Sequence, residues 1–558
     1  EVPVRVLVRA TQHYANFLLE SWHPDYLRDA LDREKLVDRL WYAPVDSRFV
    51  LAERDDIMEG DVPYFTTMPI SKDVSDGRGR RIPDVFAKSG FEQVEERLRN
   101  LTIQEVNLQS DWIRFSLVAL RDREESVSAG RGLPEEIQHV SVDTGVFVEE
   151  ASTIGRYLVE RAIWGPDRRD CTWIGAGVNH RGQWSVASMD AGLYNGVAGV
   201  ALFLGYLGWV TDNETFRQTA RAAMETALQK AVFLTKFPSA FFGLGSVLYV
   251  LSHLGPILGE PQWLGGMEEI VRLMGRAVEE DRYYDLLSGG AGVIHVLLNV
   301  YEQFGLPAAL EVASAYGDHL SKNRRASGEG AAWFGEGKTD RGLAGMAHGV
   351  AGIAWALLRL AAATGKEEYR RAAEEGLAYE RSLFHPEKGN WEDRRFAGEK
   401  AFSSMAWCHG APGIGLSRLL SWDYVPPSRR AMMAEEIQTA VSAVLSRGLG
   451  RSHCLCHGDL GQAEFLLQAG RRLGNPDLVA KAKRIGIQVM EEKKRTGNYR
   501  LGTPQGLPSA GMWLGEAGIG YQFLRLAHPD RIPSVMSLER AGIQLGWEEE
   551  RKHEAERS

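Results

Sequence analysis

The chain has 558 residues, of which 44% are hydrophobic and 25% are charged, so it is long enough for two or more domains with buried cores. Its net charge of −9 argues against the basic surface that nucleic-acid-binding proteins present. The longest apolar stretch, residues 197–210, is too short and too rich in glycine to span a bilayer. Four cysteines are too few for a disulfide framework at this length, which favours a reducing, cytoplasmic setting.

The first 135 residues alternate helical segments with irregular ones. Residues 2–8 have the composition of a strand that is already in progress, so we expect the sequence to begin inside a domain. Residues 26–40 and 91–120 have the apolar spacing of helices. These features predict a partial α+β segment over residues 1–135.

Charge and composition also predict a linker and a tail. The stretch 121–142 is rich in charge and lacks apolar periodicity, which is typical of a linker. We place the linker at 136–150 and a second domain at 151–545. The last residues, 546–558, are almost all charged and are predicted to form a frayed tail.

Residues 190–526 contain an internal repeat. Its unit is a Gly-x-x-Gly segment followed by an apolar helix, and one degenerate copy has Phe242 in the first glycine position and Gly245 in the second. The other six copies begin at Gly196, Gly289, Gly349, Gly410, Gly458 and Gly515. Each interval between copies leaves room for the apolar helix and for a second, amphipathic helix.

Seven such pairs of helices predict a mainly α fold. A nearly all-apolar helix, such as residues 353–362, must be buried on most of its sides, whereas an amphipathic one, such as residues 367–383, can face water. We therefore predict a seven-repeat α/α toroid, in which an inner ring of helices lies inside an outer ring, preceded by the partial α+β segment. An open solenoid of the same helical pairs is the alternative.

The residues capable of chemistry occupy the same loop of their repeats. We call the residue directly before the first glycine of each copy the pre-glycine position. The set comprises Asn195, Ser288, His348, His409, His457 and Leu514 at the pre-glycine position, Cys408 and Cys456 one residue earlier, and Asp285 in the loop of the third copy. Equivalent loops of a ring meet at one end of the barrel, so these polar groups are predicted to form an active site there.

The cysteines and a neighbouring histidine predict a zinc site. Thiolate and imidazole are preferred zinc ligands, and three protein ligands leave the open position of a catalytic metal. The favoured ligands are Cys408, Cys456 and His457, with His409 as a neighbour that contacts the substrate or orients a ligand. If Cys454 also binds, the site is closed and structural. Buried cysteines without a metal are the remaining alternative.

Two further residues are candidates for proton transfer. His348 is at the pre-glycine position without a preceding cysteine, and its place beside the metal loops favours an acid/base role over that of a structural hydrogen-bonding group. Asp285 is a weaker candidate, because an aspartate before a helix is most often a cap.

A zinc ion with two thiolate ligands is electron-rich and therefore poorly suited to splitting water. The same ion suits an incoming thiol, whose pKa it lowers while leaving the sulfur nucleophilic. A nearby histidine can then protonate the carbanion that forms when sulfur adds to an activated alkene. The residues therefore favour thiol addition over hydrolysis.

Several motifs in this order resemble those of the LanC-like lanthionine cyclases, over about residues 150–540. They are residues 193–196, the loop of Asp285, and residues 345–349, 407–413, 456–458 and 508–521. The resemblance implies an α/α toroid with one zinc ion, which activates cysteine thiols of a precursor peptide. These thiols add to dehydroalanine or dehydrobutyrine and give lanthionine or methyllanthionine.

Individual roles follow from the same resemblance. It implies that Cys408, Cys456 and His457 bind zinc and that His348 and Asp285 act in proton transfer. The chain departs from the stand-alone cyclases at two positions. They have an arginine four residues before the first zinc cysteine, where this chain has Ser404, and often a tyrosine directly after that cysteine, where it has His409. No family role is carried over to Ser404 or His409.

Residues 1–120 resemble the end of the dehydratase domain of class II lanthipeptide synthetases of the LanM type, in residues 5–11, 53–65 and 81–84. The resemblance implies that Arg5 and Thr11 take part in phosphate elimination, and a guanidinium suits phosphate. The alternative is that both are surface residues of a strand region. ATP and Mg²⁺ would serve only the dehydratase of a full-length parent, so we expect this chain not to dehydrate a peptide alone.

The expected partner is a ribosomally made precursor peptide with a leader, and association with an export machinery is a further expectation. No nucleic acid and no membrane-spanning segment are expected. Two other functions remain open: a peptide-binding toroid with a structural zinc, and a toroid glycosidase. The latter requires paired carboxylates, whereas the predicted mouth offers Asp285 alone.

Overall fold

The structure is a computed structural model that describes residues 2–42, 45–119, 131–133, 143–178, 184–336, 341–504 and 507–542. The chain divides into two compact units, Glu1–Asp111 and Trp112–Ser558, so the boundary predicted at residue 135 falls inside the second. A helix begins at Gly145, within the stretch 136–150 that we predicted to be a linker. The predicted tail, 546–558, lies outside the described residues.

The first unit combines short strands with helices, as the α+β prediction requires. Its strands form an antiparallel sheet in the order β1-β2-β3-β4. In place of the helix predicted over residues 26–40, a shorter one forms, because the side chain of Asp29 caps its first turn at Leu31 and Asp32. In chain order the elements are β1 (Val4–Val6), α1 (Thr11–Ser21), α2 (Ala30–Asp38), α3 (Val50–Glu59), β2 (Phe65–Thr67), β3 (Val74–Ser75), β4 (Arg81–Ile82), α4 (Gly90–Arg99) and α5 (Ile103–Ala119), the last of which continues into the second unit.

The second unit consists mainly of helices. They are α6 (Gly145–Glu160), α7 (Val197–Thr211), α8 (Glu214–Ala231), α9 (Leu244–Leu258), α10 (Pro261–Gly265), α11 (Met267–Arg276), α12 (Gly290–Phe304), α13 (Pro307–Asn323), α14 (Val350–Thr364), α15 (Glu367–Ser382), α16 (Ala411–Ser421), α17 (Pro427–Arg447), α18 (Asp459–Arg472), α19 (Pro476–Thr496) and α20 (Glu516–Ala527). Its strands pair as short antiparallel hairpins, β5 (Ile163–Trp164) with β6 (Cys171–Thr172), β7 (Ile174–Val178) with β8 (Trp184–Ser188), β9 (Arg325–Ser327) with β10 (Gly330–Ala332), and β11 (Phe384–His385) with β12 (Asn390–Trp391).

The inner helices close into a ring. Neighbours along the series α7, α9, α12, α14, α16, α18 and α20 pack against each other, and α20 packs back against α7. Each inner helix also packs against an outer one, and α6 is the outer partner of α20. The described residues thus confirm the predicted toroid and rule out the open solenoid, because the first and last repeats are in contact.

Burial explains why α7 is apolar all round. Every residue of α7 from Val197 to Gly208 is buried, whereas the outer helix α8 buries one face. No helix in the described part of the chain is both long and apolar enough to cross a membrane. The apolar stretch 197–210 is therefore part of the toroid, where other inner helices surround it.

The chain after α20 lies inside the ring. Residues from Ile532 to Leu538 are almost completely buried. The backbone carbonyls of Pro533, Leu538 and the following Glu539 accept hydrogen bonds from Tyr521 in α20, Asn299 in α12 and Tyr249 in α9. Because these donors belong to helices on different sides of the ring, the segment occupies its centre.

The second repeat begins one residue later than predicted. Gly243, not Phe242, directly precedes α9 as its cap, and Ser246 occupies the second glycine position in place of Gly245. A Cβ on Gly243 would lie 1.8 Å from the carbonyl oxygen of Phe237, which requires glycine there. The Ser246 hydroxyl donates to the Gly243 carbonyl at 2.6 Å. The pre-glycine residue of this copy is therefore Phe242.

In the repeats that have it, the second glycine allows the loop to lie directly on the first turn of its helix. At Gly352 a Cβ would lie 2.1 Å from the Met346 carbonyl oxygen and 2.9 Å from Cβ of Leu286. The equivalent Gly413 faces the Trp407 carbonyl in the same way, at 2.0 Å. These contacts hold the pre-glycine residues against the end of the ring.

Replacement of Gly352 by alanine is therefore expected to lower the free energy of unfolding by about 3 kcal/mol, because the added methyl group forces the loop away from the helix. At a helix position with free space around the added methyl group, the same change from glycine to alanine would stabilise the protein. Gly265 in α10 is the matched control, because nothing lies within 4 Å of a Cβ there. Denaturant titration measures both variants, and an equal effect of the two changes would contradict the interpretation.

Candidate active site

Backbone hydrogen bonds link the pre-glycine loops of neighbouring repeats. Five of the seven loops donate an N–H to a carbonyl of the next loop, which draws the loops together at one end of the ring. The pairs are Tyr194 to Phe241 (3.0 Å), Leu287 to Ala347 (3.0 Å), Trp407 to Cys456 (2.9 Å), Cys456 to Trp513 (3.2 Å) and Trp513 to Tyr194 (2.8 Å). The predicted convergence of the loops is therefore present.

Two of the predicted ligands lie side by side. The sulfur atoms of Cys408 and Cys456 are 3.9 Å apart, and two ligands of one tetrahedral zinc with bonds of about 2.3 Å would be about 3.8 Å apart. The hydrogen bond from Cys456 holds the pKa of the Cys408 thiol well below its usual value. Both the spacing and the donor chemistry fit zinc.

The third predicted ligand is less well placed. His457 is half-buried and directly follows Cys456. Its electrostatic interaction contributes to lowering the pKa of both the Cys408 and the Cys454 thiol. Burial alone raises the pKa of the Cys454 thiol, but the charge and hydrogen bonds of His457 and a hydrogen bond with Ser452 lower it overall. Among the described side chains, no three of the His, Cys, Asp or Glu type converge closely enough to hold a metal ion. The ligand role of His457 remains a prediction.

The two candidates for proton transfer form a pair. Nδ1 of His348 lies 3.1 Å from Oδ2 of Asp285. The other carboxylate oxygen of Asp285 accepts the backbone N–H groups of Ser288 at 2.7 Å and Gly289 at 3.2 Å. One carboxylate thus holds the turn before α12 and also orients His348. The roles of Asp285 as a helix cap and as a partner in proton transfer are therefore compatible. His348 itself is half-exposed at the end of the ring.

His409 lies against His348. Their rings stack with centroids 5.3 Å apart, and Nδ1 of His409 is 3.3 Å from the Ala344 carbonyl oxygen. Its Nε2 has no hydrogen-bond partner among the described residues. Burial lowers the pKa of His409 to about 4, so this ring is neutral at pH 7.

The loop that carries His348 is also tied to the outer ring. The N–H of Gly345 donates to Glu380 at 2.9 Å, and the other carboxylate oxygen of Glu380 accepts from Arg418 at 2.8 Å. Arg418 is fully buried and also pairs with Glu436. Separating a buried ion pair would leave an uncompensated charge, which is strongly unfavourable. This network therefore fixes the position of the loop. A narrow cleft with a cavity volume of about 10 Å³ adjoins His348.

An arginine that the sequence did not single out interacts electrostatically with the thiol pair. Arg395 makes two hydrogen bonds to Asp393, at 2.9 and 2.7 Å, and Ser404 donates to the same carboxylate at 2.6 Å. Burial alone raises the pKa of Asp393, but the hydrogen bonds from Arg395 and Ser404 lower it to about 2. The charges of both cysteines contribute to the raised pKa of Arg395.

Arg395 therefore supplies a positive charge near the thiols although position 404 is a serine. Its loop follows β12 and lies outside the repeated unit, so no repeat position marked it. A second missed residue, Tyr194, donates its hydroxyl to the sulfur of Cys456 at 3.1 Å. Tyr194 stands directly before a pre-glycine residue, which was the available signal.

The two candidates for phosphate elimination lie in the first unit. Arg5 is an exposed residue of β1 whose guanidinium lies over the ring of Tyr64, and Thr11 is the exposed first residue of α1. The buried arginine of this region is Arg9, which pairs with Glu53 at 2.7 Å. The roles of Arg5 and Thr11 remain predictions, and Arg9 serves the core of the unit.

Comparison with known proteins identifies relatives of both units. Residues 187–537 match the family model described as "Lanthionine synthetase C-like protein", and residues 1–68 match a domain of unknown function. The chain is 21% identical over 94% of its length to the lacticin 481/lactococcin biosynthesis protein LcnDR2 of Lactococcus lactis subsp. lactis. It spans 55% of that relative, about half of its length.

A solved structure shares the fold. Nisin cyclase superimposes with a TM-score of 0.51 and 17% identity, over 62% of this chain and 92% of the cyclase. At this identity the likeness concerns the arrangement of helices alone.

Proposed function

Because the chain belongs to the lanthionine synthetase C-like family, whose model matches residues 187–537, we propose that its toroid closes thioether rings in a peptide. The reaction is the addition of cysteine thiols to dehydroalanine or dehydrobutyrine within one peptide, which gives lanthionine or methyllanthionine. The observation that carries this proposal is the thiol pair Cys408 and Cys456, 3.9 Å apart, in the ring of loops that also holds the His348–Asp285 pair.

Zinc is the cofactor of this proposal, with Cys408, Cys456 and His457 as its ligands. The thiol spacing supports it, since it equals the distance between two sulfur ligands of one tetrahedral ion. Bound there, zinc would lower the pKa of a substrate thiol and keep its sulfur nucleophilic.

His348 is the proton donor of the addition in this proposal. When the sulfur forms its bond to the β carbon of the alkene, the π electrons move towards the α carbon and its carbonyl group. Nε2 of His348 then delivers a proton to the α carbon, while Asp285 orients the ring through Nδ1. His348 regains a proton from solvent or from the next thiol, so the reaction consumes no acid. The neutral, buried His409 packs against His348 and limits the rotation of its ring.

The substrate in this proposal is a ribosomally made precursor peptide with a leader. In a full-length parent, a dehydratase that uses ATP and Mg²⁺ would first phosphorylate Ser and Thr and then eliminate the phosphate. The relation to the lacticin 481/lactococcin biosynthesis protein, which the chain matches over 94% of its own length, supports a role in the biosynthesis of such a peptide.

The proposal is tested with a synthetic peptide that carries one dehydroalanine and one cysteine. Incubation with the zinc-loaded protein is expected to remove the free thiol without a change in peptide mass, because addition is an isomerisation. Treatment with a chelator should stop thiol loss, and zinc should restore it.

Two results would contradict the proposal. Well under one zinc ion per chain in metal analysis would remove the metal site. One tightly held zinc ion without any thiol loss would favour a peptide-binding toroid with a structural metal, in which Cys454 completes the ligand set.

A further inference from the structure

Tyr194 contacts a proposed zinc ligand from a distant repeat. Its hydroxyl oxygen lies 3.1 Å from the sulfur of Cys456, although 262 residues separate the two in sequence. The contact exists because the first repeat packs against the last, which brings the loop before α7 next to the loops before α18 and α20. Tyr194 is thus the contribution of the first repeat to a site whose thiols come from the fifth and sixth.

The backbone of Tyr194 is held on both sides. Its N–H donates to the Phe241 carbonyl at 3.0 Å, and its carbonyl accepts the N–H of Trp513 at 2.8 Å. These partners belong to the second and seventh repeats, the neighbours of the first in the ring. A displacement of Tyr194 would therefore disturb both adjoining loops.

The ring of Tyr194 is held as firmly. It stacks on Trp513 with centroids 5.5 Å apart and an interplanar angle of 15°, and packs against Phe242 at 5.2 Å. Few rotamers remain for a side chain that is held at its backbone and on its ring. The direction of the hydroxyl is therefore set before any ligand binds, which is the condition for an outer group that orients a metal ligand.

The hydrogen bond between Tyr194 and Cys456 has a defined donor and a defined acceptor. The phenol of Tyr194 has a hydrogen to donate, and its oxygen lies 3.1 Å from the Cys456 sulfur, which carries no hydrogen as a thiolate. The hydroxyl is thus the donor and the Cys456 sulfur the acceptor once that sulfur is a thiolate. Hydrogen bonds to a charged acceptor are stronger than those between neutral groups.

We propose that Tyr194 is a positioning residue for Cys456, whose thiolate it orients and whose negative charge it partly withdraws from the metal. The inference rests on the proposed zinc site. A thiolate that gives less charge leaves the metal a stronger Lewis acid, which then favours binding of a substrate thiol as its anion. The phenol would thus offset the electron-rich character that two thiolates impose.

The test replaces Tyr194 by phenylalanine, which keeps the ring contacts and removes the donor. Zinc affinity, measured by competition with a chromophoric chelator, is expected to fall by about tenfold, as it does when outer partners of metal ligands are lost. In the cobalt-substituted protein, the sulfur-to-metal charge-transfer band is expected to move to lower energy, because the thiolate electrons are no longer stabilised.

Tyr206→Phe is the matched control. Tyr206 is a fully buried tyrosine of α7 whose hydroxyl bonds to His253 at 2.8 Å, and it lies ten residues, or about 15 Å of helix, from Gly196. Its loss should change stability but leave the cobalt spectrum and the zinc affinity unchanged. Thermal melts of both variants separate loss of fold from loss of the hydrogen bond.

Each outcome has a separate meaning. Metal binding by the wild type, with the same affinity and cobalt spectrum in Tyr194→Phe, would overturn the inference and leave the proposed function intact. A wild-type protein that binds no metal would overturn the proposed function, and the inference with it. Equal spectral shifts in both variants would assign the effect to general loosening of the ring, which also overturns the inference.

Discussion

Replacement of Cys456 by alanine is expected to abolish zinc binding and thioether formation together. Cys456 lies 3.9 Å from Cys408, accepts the hydroxyl of Tyr194 and is 5% exposed, so no other sulfur can take its place without movement of the loop before α18. Loss of a residue that only orients a metal ligand lowers metal affinity or activity by about 10- to 100-fold. Loss of the ligand itself should therefore lower the rate of thiol consumption by more than about 100-fold. Metal analysis and thiol counting on the same sample measure both effects.

The matched control is Cys171→Ala. Cys171 is also a buried thiol, but it lies in β6 with the Thr219 carbonyl as its contact, outside the pre-glycine loops. The control should keep full zinc content and full activity. Thiol loss at the wild-type rate in Cys456→Ala would contradict the metal-dependent mechanism. Retained zinc with lost activity would instead indicate that Cys454 replaces Cys456 as a ligand and closes the site.

The fold was predictable because the same physical requirement acts seven times along the chain. Each inner helix must begin where its loop crosses closely over its first turn, and only a residue without a side chain fits at positions such as Gly352. The glycines therefore mark the helices directly. The family assignment from the ordered motifs is confirmed by the match over residues 187–537. The exception is the second repeat, in which the sequence pattern placed the second glycine at Gly245. In the structure Gly243 directly precedes the helix, and the small side chain of Ser246 occupies the position that is glycine in the other repeats.

The site was predictable in part. Histidines and cysteines stand out because few other residue types bind zinc or transfer protons, and the repeat predicted that their loops meet. Arg395 carries no such signal, and Tyr194 has only its place before a pre-glycine residue, since their roles depend on contacts made when the loop after β12 folds against Ser404 or when the ring closes. The segment at the centre of the ring, 532–538, has no repeat and no charge pattern, and its place follows from the space that the inner helices leave.

Replacement of His348 by asparagine is expected to slow thioether formation by about 10²- to 10⁴-fold, the usual contribution of a positioned general acid, while zinc content stays unchanged. The change removes the proton donor but not the thiolate, so addition should continue slowly with protons from water. Water can reach the α carbon from either face. The product is therefore expected to contain both configurations at that carbon, where the wild type gives one, and chiral analysis of the hydrolysed product measures the ratio.

Asp285→Asn should have the same effect to a smaller extent. Asparagine keeps an oxygen that can accept the N–H groups of Ser288 and Gly289, so the turn before α12 persists while the carboxylate contact that orients His348 is lost. His385→Asn, at an exposed histidine of β11, should leave rate and stereochemistry unchanged. A single configuration in the product of His348→Asn would place the proton donor elsewhere. His409 would then be the next residue to replace, because its ring lies 5.3 Å from that of His348 and its Nε2 makes no hydrogen bond within the described structure.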